Sequence, residues 1–348
     1  MLPASYVEGR RYENAAIQHQ HAEQPVACAL QPRDVAIVND LRRYRFLTAT
    51  QLRELWWPEA GPRAANRRLR KLFDAGYLDR FRPLSYRGSY PWTYHLSGDG
   101  HQLLQHAGFV DPRQRFHRRR VYDYSYVTHD LQLNAWVLAY RRGLGDQLTS
   151  WEGETEIYPP DDLRKGQLQL GGNWTADGLR DPRPRLVRPD AVLELDADDD
   201  EPERTILVEY DRTRRIDKNY EKFRRYDSFL TWWWHHSVYG DRSEPPYVLF
   251  VCQDPEQRDL FLQAADRELT GHRWHPHADL SDHKHSGRQH IVFATELDAH
   301  SGQHRALRVP SYPPGHPLRE DLYRPVRLPG AGQPATPPAQ GELQPANS

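Results

Sequence analysis

Cysteine and methionine are nearly absent from this chain, which has two cysteines and one methionine among 348 residues. Cys28 lies in a polar stretch and Cys252 in an apolar run, so we expect no structural disulfide and no cysteine-based zinc site. Long hydrophobic runs are absent too: no stretch reaches the ~18 apolar residues of a membrane span, and the start lacks a signal-peptide core. These absences predict a cytoplasmic protein with no membrane partner.

The signatures of several enzyme classes are also missing. The sequence contains no glycine-rich phosphate loop, no nucleophile elbow and no other Ser/His/Asp arrangement. Segment 272–290 has many histidines, but their spacing is irregular and Pro276 interrupts them. We therefore interpret this segment as a loop of open role and not as a zinc site.

Lysine is rare, with 5 residues against 42 arginines, and a GC-rich genome explains that ratio as well as DNA binding does. The distribution of charge is more informative. Residues 33–120 contain 18 Lys plus Arg against 8 Asp plus Glu, whereas residues 181–211 contain 4 against 11. A basic module followed by an acidic one favours a polyanion partner for the first and a cation site in the second. The acidic run 196–203 by itself is typical of a solvated hairpin loop.

Low-complexity ends flank two patterned regions. Residues 1–30 are polar without a sustained period, and residues 301–348 are dense in proline and glycine. Such compositions cannot build a core, so we predict a disordered head and a disordered tail. Residues 31–110 and residues 121–300 carry helical and strand periodicity, which predicts two domains between these ends.

Three helices are predicted in residues 31–110. The first carries an apolar stripe within residues 35–41, and residues 48–51 have the capping-box form that opens the second. Pro62 starts the third helix, because proline is favoured at the first helical position. Gly76 ends that helix with a left-handed cap.

Two short strands, at 77–81 and 92–96, follow the third helix, and Ser97 caps a final helix. Three helices and a two-stranded wing resemble many bacterial winged helix-turn-helix domains, in which the third helix enters the major groove. The residues predicted to contact DNA are Arg63, Asn66, Arg67, Arg70 and Lys71 on the helix, and Arg82 and Arg87 in the wing. The alternative is a protein-docking winged helix with a solvated basic face.

Residues 121–300 follow the order helix, strand, strand, strand, helix, strand. The stretch VTHDLQLNAWVLAY (127–140) is apolar around most of its circumference, which indicates a buried helix. Strands followed by crossover helices predict an α/β sheet that is at least partly parallel. The order resembles the restriction-endonuclease-like core, so the predicted fold class is a mixed-sheet α/β domain of that kind.

Two acidic strands carry most of the chemistry of this region. RPDAVLEL (188–195) contains Asp190, and TILVEYD (205–211) places Glu209 and Asp211 on one face because side chains alternate along a strand. Carboxylates held close together are costly unless a cation lies among them, most simply Mg²⁺. The spacing resembles the PD-(D/E)xK nuclease core, in which Asp190 and Glu209 would hold the metal.

Asp211 occupies the position at which that core has its lysine. Helical substitutes are known in the superfamily, and Lys222 in RRIDKNYEKFRRY (214–226) is the candidate here. Glu152 resembles the additional acidic residue that some such enzymes bring from an earlier element. The predicted catalytic set is therefore Asp190, Glu209, Asp211, Lys222 and Glu152. The alternative for Lys222 is an ordinary surface lysine of an amphipathic helix.

The ordered set RPDAVLEL, ILVEYDRT and EKFRRY resembles the replication-relaxation family of bacterial plasmids and other mobile elements. In that family a winged helix precedes a His-x-Leu helix, a Pro-Asp strand, a Glu-x-Asp-Arg segment and a Lys-x-x-x-Tyr helix. The resemblance covers about residues 33–265. The matching positions are His129, Leu131, Pro189, Asp190, Glu209, Asp211, Arg212, Lys222 and Tyr226.

The resemblance implies a DNA-binding protein of plasmid or mobile-element replication, relaxation or mobilisation. It implies double-stranded DNA and replication or mobilisation proteins as partners, and Mg²⁺ as the cofactor of a DNA-nicking site. The alternative is a non-catalytic transcription regulator or replication accessory factor with a degenerate nuclease fold, in which Glu209 and Asp211 pair with the arginines of residues 212–215. A third hypothesis is the antitoxin or sensor half of an operon pair.

Overall fold

The computed structural model describes residues 16–18, 21, 26–83, 90–116, 125–144, 148–153, 175–176, 179–180, 187, 189–196, 203–211, 216–237, 239–270, 285–300 and 305–328. The chain divides into two compact units, residues 1–135 (unit 1) and residues 136–348 (unit 2). Each unit has buried apolar residues of its own.

Unit 1 combines helices with a small sheet. Its elements are β1 (Ala16–Gln18), α1 (Pro32–Tyr44), β2 (Leu47–Thr48), α2 (Ala49–Trp56), α3 (Pro62–Asp74), β3 (Leu78–Pro83), β4 (Thr93–Leu96) and α4 (Gly98–His106). Helix α5 (Ser125–Leu144) begins in unit 1 and ends in unit 2. The three helices and the strand pair predicted for residues 31–110 are confirmed.

The helix ends follow the local signals of the sequence. Thr48 Oγ1 accepts from the Gln51 backbone N–H at 3.1 Å, and Gln51 Oε1 accepts from the Thr48 backbone N–H at 2.9 Å, which completes the predicted capping box of α2. At the end of α3, Gly76 has a φ of 87° and the Tyr77 N–H donates to the Leu72 carbonyl at 3.0 Å. This left-handed cap was predicted from the glycine.

The small sheet has the antiparallel order β1-β3-β4-β2. Residues 16–18, which belong to the head predicted to be disordered, pair with residues 81–83 of β3. His21 lies between the Phe73 carbonyl and the Asp79 carboxylate, at 2.9 and 2.7 Å. The prediction of disorder is wrong for this part of the head, because the edge of β3 offers free backbone partners that composition does not reveal. Residues 1–15 lie outside the described residues.

Helix α5 was predicted to belong entirely to the second domain. Its first half instead packs in unit 1, where Val127 and Leu131 form a buried cluster with Phe46 and Phe81. Asn134 Nδ2 donates to the Tyr44 and Phe46 carbonyls at 2.8 and 2.7 Å, and so satisfies backbone groups at the end of α1. The helix is apolar on most sides, as predicted, and its residues Trp136, Val137 and Tyr140 are buried as well.

Unit 2 is an α/β unit. Its elements are β5 (Leu148–Gly153), the hairpin β6 (Thr175–Ala176) and β7 (Leu179–Arg180), β8 (Ala191–Leu195), β9 (Arg204–Asp211), α6 (Ile216–Ser228), β10 (Tyr247–Cys252), α7 (Pro255–Glu268), α8 (Ser286–His290), β11 (Ile291–Thr295), α9 (Glu296–His300), β12 (Arg305–Arg308) and β13 (Arg324–Arg327). A π-helical turn (Phe229–Trp233) and a 3₁₀ turn (Trp234–His236) follow α6. Most of the histidine-rich segment, residues 271–284, lies outside the described residues.

A seven-stranded mixed sheet forms the centre of this unit, in the order β13-β12-β11-β10-β9-β8-β5. Strands β9, β10 and β11 are parallel, whereas β5, β8 and β9 are joined antiparallel. The prediction of a mixed sheet that is at least partly parallel is therefore confirmed. The crossover helix α6 connects β9 with its parallel neighbour β10, as expected for such a connection.

Helices α6 and α7 cover one face of the sheet. The buried cluster there joins Val192, Leu207, Phe250 and Phe293 of the strands with Phe223 and Tyr226 of α6 and Phe261 and Leu262 of α7. The rings of Phe223 and Phe250 meet edge to face, with centroids 5.0 Å apart. This packing fixes α6 against β9, which is the contact that forms the site described below.

Residues 305–328 were predicted to belong to the disordered tail, but β12 and β13 extend the sheet. Arg288 is fully buried, donates from Nε to the Pro310 carbonyl at 2.7 Å and forms an ion pair with Asp266. Arg319 contacts the same carboxylate at 2.6 Å. These long-range contacts overturn the predicted disorder of this part, and residues from 329 onward lie outside the described residues.

No helix within the described ranges is both long and apolar enough to cross a membrane.

Candidate functional site

Helix α3 presents a polar, basic face to solvent. Its apolar residues Ala65, Leu69 and Leu72 are buried. Five of the residues predicted to contact DNA are exposed on the opposite side, namely Arg63, Asn66, Arg67, Arg70 and Lys71. Arg70 lies 3.5 Å from the Asp74 carboxylate with a side chain that is 74 % exposed, so this pair holds it weakly. The whole set is therefore accessible on one face.

The remaining arginine of α3, Arg68, has a different role that was not predicted. Arg68 Nε donates to Asp34 Oδ1 at 2.8 Å, and Asp34 is fully buried. The ion pair ties α3 to the start of α1. Its signal in the sequence was weak, because Arg68 is one of several arginines in a basic helix.

Two further residues were predicted to contact DNA from the wing. Arg82 of β3 places its guanidinium over the Trp92 ring, 4.7 Å from the centroid, where cation–π attraction orders the side chain. Arg80 lies over the same ring at 4.5 Å. Arg87 lies outside the described residues.

Strand β9 brings a carboxylate into the apolar face of the larger sheet. Thr205, Leu207, Glu209 and Asp211 alternate with residues of the other face, and Leu207 belongs to the cluster under α6 and α7. Glu209 is 1 % exposed. A buried carboxylate requires donors, and α6 supplies them.

Lys222 and Tyr226 are four residues apart on α6 and therefore lie on the same side of the helix. Lys222 Nζ lies 2.5 Å from Glu209 Oε2, and the Tyr226 hydroxyl donates to Glu209 Oε1 at 2.6 Å. The predicted substitute lysine is thus in direct contact with the strand carboxylate. Tyr226 was named among the positions of the family resemblance but was not part of the predicted catalytic set.

The charges of Glu209, Lys222, Asp190 and Asp211, which together form the charged cluster, act strongly on one another. Burial raises the pKa of Glu209 to about 7, with the Lys222 ammonium opposing this rise and the Asp190 carboxylate adding to it. For Lys222, burial acts to lower the pKa, but the charges of Glu209, Asp190 and Asp211 outweigh it and raise the pKa of the ammonium. The charges of three carboxylates thus favour the protonated form of Lys222, which is a cation at neutral pH.

Asp190 lies where the chain enters β8. Its backbone N–H donates to the Val208 carbonyl at 2.8 Å, and its Oδ2 accepts from the Tyr210 N–H at 2.8 Å. The carboxylate is therefore held by the backbone of β9 itself. This anchoring places the Asp190 carboxylate where its charge acts on both Glu209 and Lys222.

Asp211 ends β9 on the same face as Glu209. It lies opposite Cys252 of β10, and its carbonyl accepts from Gln257 Nε2 of α7 at 3.0 Å. Gln257 also accepts the Gln253 N–H at 2.7 Å, so the ends of two parallel strands are joined through one buried side chain. Asp211 is half-buried at the rim of the cluster.

Glu152 is the one member of the predicted catalytic set that the structure groups elsewhere. Glu152 is exposed in β5 and lies opposite Val192 of β8. Its charge acts on Glu194, which accepts from the Thr205 hydroxyl at 2.7 Å and pairs with Arg242 at 3.2 Å. Glu152 is not among the charges that shift Glu209 or Lys222.

The donor chemistry of the cluster can be compared with the needs of Mg²⁺. Among the residues that the structure describes, no group of three or more His, Cys, Asp or Glu side chains is arranged to hold a metal ion. Mg²⁺ is commonly held by one or two carboxylates plus substrate phosphates, and Asp190 with Glu209 fits that smaller set. Each Glu209 oxygen keeps a lone pair beyond its contact with Lys222 or Tyr226.

A family model described as replication-relaxation matches residues 38–240, which is more than half of the chain. The chain belongs to the replication-relaxation family. Membership indicates a role in the replication or relaxation of plasmids or other mobile elements. No curated protein and no solved structure matches the chain significantly.

The positions that carried the resemblance lie on both units. His129 of α5 is 41 % exposed in unit 1, with Nδ1 3.7 Å from Asp130 Oδ1. Asp190, Glu209, Asp211, Lys222 and Tyr226 meet in unit 2, at the junction of β8, β9 and α6. Arg212 lies outside the described residues. The family match ends before β10, so it includes this junction but not strands β10 to β13.

Proposed function

We propose that this member of the replication-relaxation family binds double-stranded DNA through α3. The observation that carries the proposal is the exposed set of four cations and one amide on a helix whose other side is buried. The order α1, α2, α3, followed by the antiparallel pair β3–β4, supports a winged helix-turn-helix interpretation. Arginine suits both phosphates and guanine edges, and Asn66 suits adenine.

Two arginines of this face provide the test. We expect Arg67→Ser/Arg70→Ser to weaken DNA binding and to flatten its dependence on salt, because each lost phosphate contact removes about one unit of slope. Binding of a plasmid-origin fragment by the full chain is measured between 50 and 200 mM salt. Arg113→Ser/Arg115→Ser, which removes two exposed arginines of the same unit, is the matched control. Unchanged affinity and slope in the α3 variant would refute the assignment.

We further propose that the junction of β8, β9 and α6 is a metal-assisted DNA-nicking site. The supporting observation is the contact of the Lys222 ammonium with Glu209, next to an Asp190 carboxylate that is held on the Tyr210 N–H of the same strand. Asp190 and Glu209 would hold Mg²⁺, which supplies Lewis-acid activation of the phosphodiester and of water. The Lys222 side chain is 38 % exposed, so its ammonium can also reach a phosphate that approaches from solvent.

Relaxation of supercoiled plasmid by the purified chain tests this second proposal. We expect nicking that needs Mg²⁺ or Mn²⁺ and that falls at least 100-fold in Asp190→Ala, because a metal ligand is lost. Asp196→Asn, an exposed carboxylate just beyond β8, is the control that keeps its activity.

The opposite outcome has a defined meaning. If wild-type protein and Asp190→Ala leave the plasmid equally intact, and the cluster binds no metal, the nicking proposal is rejected in favour of a non-catalytic role. The contacts of Glu209 with Lys222 and Tyr226 would then be structural, and the chain would act as a regulator or replication accessory factor.

A further inference from the structure

The two oxygens of the Glu209 carboxylate are held by two donors from one helix. Lys222 Nζ lies 2.5 Å from Oε2, and the Tyr226 hydroxyl donates to Oε1 at 2.6 Å. Each oxygen keeps a further lone pair. The Glu209 side chain is only 2 % exposed, however, so a cation from solvent has almost no access to the carboxylate while both donors are in place.

The two donors differ in how firmly the protein holds them. Tyr226 is 1 % exposed, and its ring meets that of Phe250 edge to face, with centroids 6.0 Å apart. The Lys222 side chain is 38 % exposed, and its ammonium ends a flexible four-carbon stem. The contact at Oε2 can therefore open towards solvent, whereas the contact at Oε1 is fixed by the core.

A second carboxylate is held on the strand of Glu209. The Asp190 N–H donates to the Val208 carbonyl, and Asp190 Oδ2 accepts from the Tyr210 N–H, so Asp190 is bonded to the residues before and after Glu209. Its charge acts on both Glu209 and Lys222. When both carboxylates are ionised, one ammonium balances only half of their charge, whereas a divalent cation balances all of it.

We propose that Lys222 is an exchangeable counter-ion of Glu209, which holds Oε2 in the metal-free chain and leaves it for solvent when a divalent cation is bound. Tyr226 stays on Oε1 and keeps the carboxylate oriented in both states. The released ammonium becomes available to a DNA phosphate. This exchange rests on the metal assignment of the proposed nicking site, and it assigns Lys222 a second role there, as the group that keeps the site closed without metal.

Chemical acetylation of the wild-type chain reports on the position of the ammonium. Modification of lysines by the N-hydroxysuccinimide ester of acetic acid is followed by mass spectrometry with and without Mn²⁺, and exposed Lys71 of α3 is the internal reference. We expect Mn²⁺ to speed the modification of Lys222 several-fold relative to Lys71, because the amine then loses its carboxylate partner and becomes accessible. Mn²⁺ should have no such effect in Asp190→Ala, which lacks a metal ligand.

Two variants test the competition from the side of the metal, with the Mn²⁺ affinity of the full chain measured by calorimetry. We expect Lys222→Ala to bind Mn²⁺ at least about 10-fold more tightly than the wild type, because a like charge is removed from the ligand oxygen. Lys222→Arg keeps a cation at this position and should bind Mn²⁺ no more tightly than the wild type. Lys71→Ala, which removes an exposed lysine, is the matched control.

The exchange is overturned if Mn²⁺ leaves the acetylation rate of Lys222 unchanged in the wild type, or if folded Lys222→Ala binds Mn²⁺ no more tightly than the wild type does. Because acetylation uses the wild-type chain, misfolding of a variant cannot decide the outcome. Plasmid nicking is scored separately. Metal-dependent nicking with an unchanged Lys222 rate rejects the exchange and keeps the nicking site, whereas a raised Lys222 rate with intact plasmid keeps the exchange and rejects nicking.

Discussion

At the scale of single residues, Glu209 is the most constrained side chain of the candidate site. Its carboxylate is buried with the Lys222 ammonium and the Tyr226 hydroxyl on its two oxygens. A buried ion pair of this kind contributes little net stability, whereas the removal of one partner leaves a costly unpaired charge. Sequence alone showed Glu209 and Lys222 as candidates, but not that they touch.

The pair yields a stability prediction. We expect Lys222→Met to destabilise the chain by about 2 kcal/mol, the lower part of the range for a broken buried pair because Lys222 is partly exposed. The double variant Glu209→Gln/Lys222→Met should recover most of that loss, since it removes both charges and keeps an acceptor for Tyr226. Urea unfolding measures both variants. If Lys222→Met and the double variant lose the same free energy of unfolding, the pairing of Lys222 with Glu209 is contradicted.

His290 provides a prediction on pH. Partial burial lowers the pKa of His290 to about 4, with Glu244 opposing and Arg204 and Arg308 adding to the shift. In the unfolded chain the pKa is about 6.5, so the unfolded state binds the proton first as the pH falls. The stability that neutral His290 contributes is therefore fully present above about pH 6.5 and is lost towards pH 4.

Urea unfolding at pH 7.5 and 4.5 measures this effect. Between these pH values we expect the free energy of unfolding to fall by about 2–3 kcal/mol more in the wild type than in His290→Gln. His106→Gln, which removes an exposed histidine of α4, is the matched control. If the free energy of unfolding falls equally in the wild type and in His290→Gln, the pKa of His290 is the same in the folded and unfolded chain, and the prediction is wrong.

At the scale of elements, both ends of α3 are set by glycine and proline. Gly76 has a positive φ, and a Cβ there would lie 2.8 Å from Asp99 Oδ2. We expect Gly76→Ala to cost about 1–2 kcal/mol, because a left-handed residue with a side chain is strained. Gly61 is the N-cap of the same helix, with a φ of −64° and open space around it. Alanine is a poorer N-cap than glycine but lowers the entropy of the unfolded chain, and because these effects oppose one another we expect Gly61→Ala to change the unfolding free energy by less than about 0.5 kcal/mol.

Thermal unfolding of the two alanine variants decides the point. If Gly61→Ala is as unstable as Gly76→Ala, the left-handed geometry of Gly76 is not the cause of the instability.

The elements themselves were largely predictable from sequence, because caps, turn glycines and apolar periods act over a few residues. Ser97 illustrates this: its hydroxyl accepts from the Gly100 N–H at 3.0 Å and begins α4 as predicted.

At the scale of the whole molecule, the limits of the folded regions were the least predictable feature. Composition suggested disorder for residues 1–30 and 301–348, yet residues 16–18 and residues 305–328 belong to sheets. Backbone pairing at a sheet edge depends on distant partners and not on local composition. Buried Arg288, which anchors the second of these segments, is likewise inconspicuous in a chain rich in arginine.

The sequence by itself determined the helices and caps of unit 1, the mixed sheet of unit 2 and the membership of the family. It also placed acidic residues on one face of β9, since alternation is a property of the strand alone. Only the tertiary structure decided that Lys222 meets Glu209, that Tyr226 joins them and that Glu152 lies with Glu194. The reason is physical: these contacts join separate elements, and their distances follow from how α6 packs on the sheet.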